Sequence, residues 1–229
     1  MTLENNRLRL VYERNDECVQ YLIKSDNRLG CLIKYIRKVE LVLEPNGFKC
    51  LVKYIIGQQI SDKARETIWN RLQMRFKDIT PQNFITIDAE DICNVGLSRR
   101  KALCIKSLSK KIDEGYIDLE NLKKESNKAV ISILTEVKGI GKWTAEMYLI
   151  FSLGRIDVLS KSDGTIKRVL QWMYNLTDVP SSQDVENYFQ KWSGFETIVS
   201  AFLWSSIGLN LIHTPFSKII EKELTENEY

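Results

Sequence analysis

The chain is poor in the residues that build metal and redox sites. Its 229 residues hold a single histidine, His213, and no cysteine beyond Cys104. One His without Cys neighbours supplies no zinc site. Cys18, Cys31, Cys50, Cys93 and Cys104 are odd in number and widely spaced, and no two form a CxxC pair. That pattern excludes a disulfide framework and predicts reduced thiols in a cytosolic compartment. No apolar signal segment is read at the N-terminus. No stretch reaches the roughly eighteen apolar residues of a membrane span, so no membrane partner is expected. Charge of one sign is also scarce, since 33 basic residues against 30 acidic leave a net charge of only +3. This permits nucleic-acid binding without demanding it, because clustering on one face is what matters for DNA.

What the chain does have is apolar content and helical periodicity. With 44% hydrophobic residues it can bury a sizeable core in one or two closely packed domains. Helix-like segments run over 17–25, 28–39, 47–76, 99–114, 128–137, 143–153, 164–173, 183–191 and 196–209. Turn signals at Pro45-Asn46-Gly47, Thr80-Pro81 and Val179-Pro180-Ser181 punctuate them. Only Leu8 to Tyr12 and Val39 to Leu43 have a strand-like flavour. The expected fold is all-α, a two-lobed helical bundle with a short N-terminal strand segment. One basic cluster stands out, Arg99, Arg100, Lys101, Lys106, Lys110 and Lys111, whose commoner meaning is a solvated helix face.

The most informative stretch is Val137 to Glu146, VKGIGKWTAE. Gly139 and Gly141 can take positive φ and carry no Cβ, so the turn can fold tightly and leave amide N–H groups bare at the start of the next helix. Those donors and the positive end of the helix dipole form an anion site, to which Lys142 adds a charge. A bare GxG between helices is also compatible with a plain connection closed by a Gly C-cap. The following segment, Trp143 to Leu153, has Glu146 as its only charged residue, which predicts a helix buried on nearly all sides. Twenty residues after Trp143 stands Asp163, within DVLSKSDGTIKR and just before a helix-like run. It can cap that helix. It can also stabilise positive charge that builds on a sugar ring when an N-glycosidic bond breaks. Negative charge is favoured at a helix N-terminus, so the two roles are compatible.

These strings resemble the helix-hairpin-helix base-excision DNA glycosylases, in the form hhxGhGxWTA followed by DVxxxxDxxIxR of the 3-methyladenine DNA glycosylase II group. Two further segments match. LVKYIIGQQISDKARETIW, Leu51 to Trp69, is similar to the family's helix–loop–helix in which GQQ(I/L/V)S enters the duplex from the minor groove. GLSRRKALCIKSLSKKI resembles the GLSxxKxxxI stretch, whose loop touches the backbone opposite the wedge. Altogether the resemblance covers roughly residues 22–209, with the hairpin at about 128–154, and implies a single glycosylase unit over 1–229 with two lobes around a central cleft.

The resemblance implies a role for each matching residue. Asp163 is the catalytic carboxylate. Trp143 and Trp204, in AFLWSSIGL, wall the base pocket, because electron-poor alkylated purines stack well on indole. Met147 joins them, where a bacterial member has a tyrosine. Gln59 fills the hole that a flipped base leaves in the stack. Ser61, Lys101, Gly139, Ile140, Gly141, Lys142 and Thr144 complete the DNA-binding set. Backbone carbonyls of Thr135, Val137 and Ile140 would hold a structural Na+ or K+. No other cofactor is implied, and the cysteine positions exclude the iron–sulfur cluster that some related glycosylases carry near the C-terminus.

The mechanism implied is hydrolytic. A Lys at the position of Trp143 would act as a Schiff-base nucleophile and add strand cleavage, and this chain has Trp143 there. Lys142 is rotated about 100° around the helix, and Lys161 reads as a surface or phosphate contact. The expectation is a monomeric, monofunctional alkylbase DNA glycosylase acting on damaged duplex DNA, in the cytoplasm or at the nucleoid or nucleus. Two rivals remain: an oxidised-guanine glycosylase, which normally carries the missing Lys, and a non-catalytic hairpin module that only holds phosphates.

Overall fold

The structure, a computed structural model, describes residues 2–4 and 7–226; the expected unit over 1–229 extends past these at both ends. Three strands come in the first part of the chain: β1 (Thr2–Glu4), β2 (Arg7–Glu13) and β3 (Lys38–Val42). Among the described residues thirteen α-helices, with three short 3-10 turns of helix, carry the rest of the regular structure: α1 (Glu17–Ser25), α2 (Asn27–Ile36), α3 (Gly47–Gly57), α4 (Asp62–Arg75), α5 (Pro81–Thr86), α6 (Ala89–Cys93), α7 (Arg99–Asp113), α8 (Asn127–Thr135), α9 (Lys142–Phe151), α10 (Gly164–Tyr174), α11 (Ser182–Phe189), α12 (Glu196–Gly208) and α13 (Phe216–Glu226). The chain is helical, as expected. No helix among the described residues is long and apolar enough to cross a membrane. None of the five cysteines, all among the described residues, is in a disulfide.

The chain divides into two compact units, one of Glu44–Gly154 and one of residues 1–43 and 155–229. In the discontinuous unit the strands form an antiparallel sheet in the order β1-β2-β3, with Tyr12 opposite Val39 and Leu10 opposite Leu41. Val39 and Leu41 are buried while Lys38, Glu40 and Val42 are not, the alternation of a sheet with one covered face. The strand-like runs are therefore real strands, paired across the segment that holds α1 and α2. The core collects Leu22, Leu29, Leu32, Ile33, Ile166, Val169, Ile198 and Phe202, all fully buried. A polar cluster sits beside it. Asp26 caps α2 by accepting from the Leu29 amide at 2.8 Å, and it also accepts the Tyr174 hydroxyl at 2.7 Å and the Lys191 ammonium. Burial pushes the Asp26 carboxyl up, but the Leu29 amide, Lys191 and Tyr174 together pull it below its usual value.

The continuous unit contains α3 to α9. The helix-like run over 47–76 is two helices with a loop between them, as the resemblance of Leu51–Trp69 to a helix–loop–helix implies: α3 ends at Gly57 and α4 starts behind Ser61, whose hydroxyl accepts from the Ala64 amide at 3.3 Å. Gly57 is where the Arg65 side chain crosses: a Cβ there would lie 2.8 Å from Arg65 Cδ. α5 and α6, short helices not expected from the periodicity, start at the N-caps Thr80 and Asp88. α9 meets its expectation, with every residue from Thr144 to Ile150 buried.

Candidate nucleic-acid interface and catalytic carboxylate

The hairpin joins α8 to α9 through residues 136–141. Val137 and Ile140 are buried, and the Ile140 N–H donates to the Val137 carbonyl at 2.9 Å, which closes the turn. The two glycines then differ. Gly139 has φ +102°, and a Cβ on it would meet Cys104 Cβ and Sγ at 2.9 Å. Gly141 has an extended backbone, φ −96° and ψ 174°, and a Cβ on it would meet nothing within 4 Å. Only Gly139 needs the positive φ that the sequence suggested for both. Gly141 has no internal reason to be glycine, and as N-cap it has no side chain to cover the first-turn amides of α9. Gly141 and Lys142 are both exposed at this helix start. The Lys142 side chain is 54% exposed, with its ammonium 3.6 Å from the buried Glu146 carboxylate.

Two residues expected among the DNA contacts turn inward. The Ile140 side chain is buried and its amide is spent inside the turn. Thr144 is 1% exposed, and its hydroxyl accepts from Gln58 Nε2 at 3.0 Å. The same Gln58 Nε2 donates to the Gly139 carbonyl at 2.9 Å. Lys101 departs furthest from expectation. It is 8% exposed, and its ammonium donates to the carbonyls of Ile56 at 2.7 Å and Gln58 at 2.8 Å, the orphan acceptors at the end of α3. Burial and the nearby Arg100 hold its pKa down. Lys106 does similar work for α5, on the carbonyls of Phe84, Ile85 and Ile87. The basic run of α7 is thus partly internal bracing, and Arg99 pairs with Glu90 at 3.0 Å.

Gln59 is exposed and stands at φ +58°, a left-handed backbone that is uncommon for a residue other than glycine. Ser61 is exposed two residues further on. Trp143 is half-buried, its ring edge-on to Tyr54 at 6.0 Å. Tyr54 in turn stacks on Phe151 at 5.1 Å, with the Arg65 guanidinium over its face. Burial raises the Tyr54 hydroxyl well above its usual pKa, so the ring is a neutral platform. Met147 is 2% exposed, whereas Trp143 and Phe151, at the two ends of this helix, are half-buried.

In the other unit, Asp163 is the N-cap of α10. One carboxylate oxygen, Oδ1, accepts from the amides of Thr165 at 2.8 Å and Ile166 at 3.0 Å. The residue is 9% exposed, so its negative charge is fixed in direction and kept from bulk water. Trp204 is half-buried on α12. Lys161 pairs with Glu186 at 2.7 Å. Thr135 ends α8, Val137 follows two residues later and Ile140 stands just before the N-cap of α9; their carbonyls are uncharged oxygens, a donor chemistry that fits a monovalent cation better than a divalent one. Gln58, Tyr54 and Cys104 carry roles that sequence reasoning missed. The doubled Gln of GQQ was the one available signal.

Residues 52–194 match the family described as HhH-GPD superfamily base excision DNA repair protein. The chain is 32% identical over 212 residues to DNA-3-methyladenine glycosylase 1 of Schizosaccharomyces pombe, covering 85% of this chain and 91% of that one. A crystal structure of a DNA-3-methyladenine glycosidase from Bacillus halodurans aligns with a TM-score of 0.74 and 31% identity, over 87% of this chain and 93% of that one. The S. pombe 3-methyladenine DNA glycosylase in complex with abasic DNA aligns with a TM-score of 0.76 and 28% identity, over 83% and 96%. On the matched span and these identities, the chain belongs to the HhH-GPD superfamily of base excision DNA repair proteins.

Proposed function

We propose that this protein is a monofunctional alkylbase DNA glycosylase, which flips an alkylated purine of the 3-methyladenine type from duplex DNA and hydrolyses its N-glycosidic bond. The observation that carries the reading is the Asp163 carboxylate, oriented by two backbone amides and shielded from solvent. Such a preorganised anion stabilises the oxocarbenium-like sugar and orients the attacking water. Water oxygen bonds to C1′, the glycosidic electron pair leaves with the base, and the water proton is released. An alkylated purine carries ring charge that is relieved as the bond breaks, so a strong general acid is unnecessary.

The other site residues serve binding. The amides opening α9, with Lys142, hold a phosphate, and Gln59 fills the vacated stack. Trp143 and Trp204 receive the base, with Met147 behind. The lesion class is supported by the similarity to 3-methyladenine glycosylases. The reaction as written needs no organic cofactor; a Na+ or K+ on the carbonyls of Thr135, Val137 and Ile140 would steady the hairpin. The protein acts as a monomer on damaged double-stranded DNA, wherever the cell keeps it.

The test is a panel of duplexes, each with one lesion, assayed for base release before and after alkali. Release of 3-methyladenine with strand breakage only after alkali is expected. Release of 8-oxoguanine alone, or of nothing, would overturn the reading.

A further inference from the structure

The loop between α3 and α4 is poorly held by its own backbone. Its two turn bonds, from the Gln58 amide to Ile55 O and from the Ile60 amide to Gly57 O, are both 3.4 Å long, at the weak end of the range. Yet the residue between them, Gln59, stands in a left-handed conformation that L residues avoid. A strained backbone persists only where its surroundings over-determine it. Here the determinants come from two other elements. Lys101, from α7, grips the carbonyls on both sides of Gly57, those of Ile56 and Gln58, with short bonds from a charged donor. The Gln58 side chain grips the hairpin, at the Gly139 carbonyl and the Thr144 hydroxyl. One residue, Gln58, is thus held at its main chain by Lys101 and holds the hairpin with its side chain.

We propose that Gln58 and Lys101 are positioning residues for base flipping, which lock Gln59 in the conformation from which it enters the duplex and tie that entry to the phosphate-holding hairpin. The proposal rests on the reading of Gln59 as the stack-filling side chain. Through this bracket, docking a phosphate on the hairpin also fixes where the wedge stands over the stack. Without it, Gln59 relaxes toward ordinary backbone angles and the loss falls on flipping, while the hairpin's hold on phosphate persists.

The experiment uses the full chain and a duplex with a tetrahydrofuran abasic analogue opposite 2-aminopurine, whose fluorescence reports insertion into the stack. Affinity for undamaged duplex is followed by anisotropy and folding by thermal melting. Wild type should change the fluorescence and Gln59→Ala should not. Lys101→Met, which keeps the aliphatic stem, and Gln58→Leu should each cut the insertion equilibrium about tenfold, equivalent to about 1.4 kcal/mol, with undamaged-duplex affinity nearly unchanged. In affinity for the duplex with the abasic analogue, combining either with Gln59→Ala should add no further loss, because all three act through one side chain. Additive losses, losses that track the melting temperature alone, or full insertion by both single variants would overturn the proposal, as would a wild type that leaves 2-aminopurine unperturbed. Insertion at an abasic analogue involves no bond cleavage, so a protein that inserts but releases no alkylated base would sink the glycosylase reading and leave this one standing.

Discussion

Cys104 stands where a side chain on Gly139 would have to go. The nearest approach, 2.9 Å to both Cβ and Sγ, is closer than packed atoms tolerate, and the φ of +102° adds strain for any L residue. Gly139→Ala is therefore expected to destabilise the fold by about 2–4 kcal/mol, combining the left-handed penalty with overpacking. Gly141→Val should leave the melting temperature within a few degrees, since its backbone is extended and the space is open. The same Val should weaken binding to damaged and undamaged duplexes alike by about tenfold, the loss of one charge-assisted hydrogen bond. Melting curves beside binding isotherms check the pair. Equal loss of stability in both variants would make the turn a structural connection only.

Asp163→Asn removes the charge while keeping an oxygen that can accept from Thr165 and Ile166, and Asn caps helices as well as Asp does. Single-turnover base release should fall about a hundredfold or more, with lesion-DNA affinity and melting temperature near wild type. Full activity in that variant would remove Asp163 from the chemistry.

Strand cleavage by a lysine requires an imine with the sugar, and the indole of Trp143 cannot form one. Lys161 is paired with Glu186, and Lys142 lies along the next helical position with its ammonium toward Glu146. Borohydride should therefore trap no protein–DNA adduct during excision of an alkylated base. A trapped adduct that vanished in Lys142→Gln or Lys161→Gln would move the chain toward lyase chemistry.

Asp26 offers a pH test remote from DNA. Its carboxyl is depressed in the folded state, so its contribution is complete above the unfolded value of 3.8 and disappears as pH falls through the lower folded value. Asp26→Asn should thus melt below wild type at neutral pH, with the gap closing only below about pH 4. A gap that stayed constant through the acid range would mean that the carboxylate charge contributes nothing.

What could be seen from sequence was what is local. VKGIGKWTAE and the Asp twenty residues on are contiguous strings whose backbone requirements are written in their own residues, and so is the buried run of α9. What escaped depends on distant partners. Nothing in the run from Arg99 to Lys111 distinguishes Lys101 and Lys106, whose ammonium groups are taken by carbonyls, from Lys110 at the surface, because the acceptors lie about twenty to forty-five residues earlier. Gln58 is likewise a polar turn residue until the hairpin 81 residues later is set against it. β2 and β3 are short runs whose partner strands only pairing identifies. Periodicity alone runs through 47–76 without a break, and only the GQQ string, with Ser61 as a start signal behind it, marks the loop between α3 and α4.

The chain path of the two units bears on how the protein is made. All the internal contacts of the unit at Glu44–Gly154 are contiguous in sequence, whereas α2 and β3 pack against α12 and α13, which lie beyond an inserted stretch of more than a hundred residues. On a ribosome, the hairpin between α8 and α9 can be complete while Asp163 is still unsynthesised or unsupported, because early segments of a nascent chain fold before later ones emerge. The first forty or so residues, with β2, β3 and the apolar face of α2, must wait exposed until α12 is released. A chain that stops short of α12 would thus keep Asp163 and α10 but leave the sheet, α2 and α10 without the helix they pack against. Quality control would meet it through that uncovered strand pair, since exposed strands template pairing with other chains.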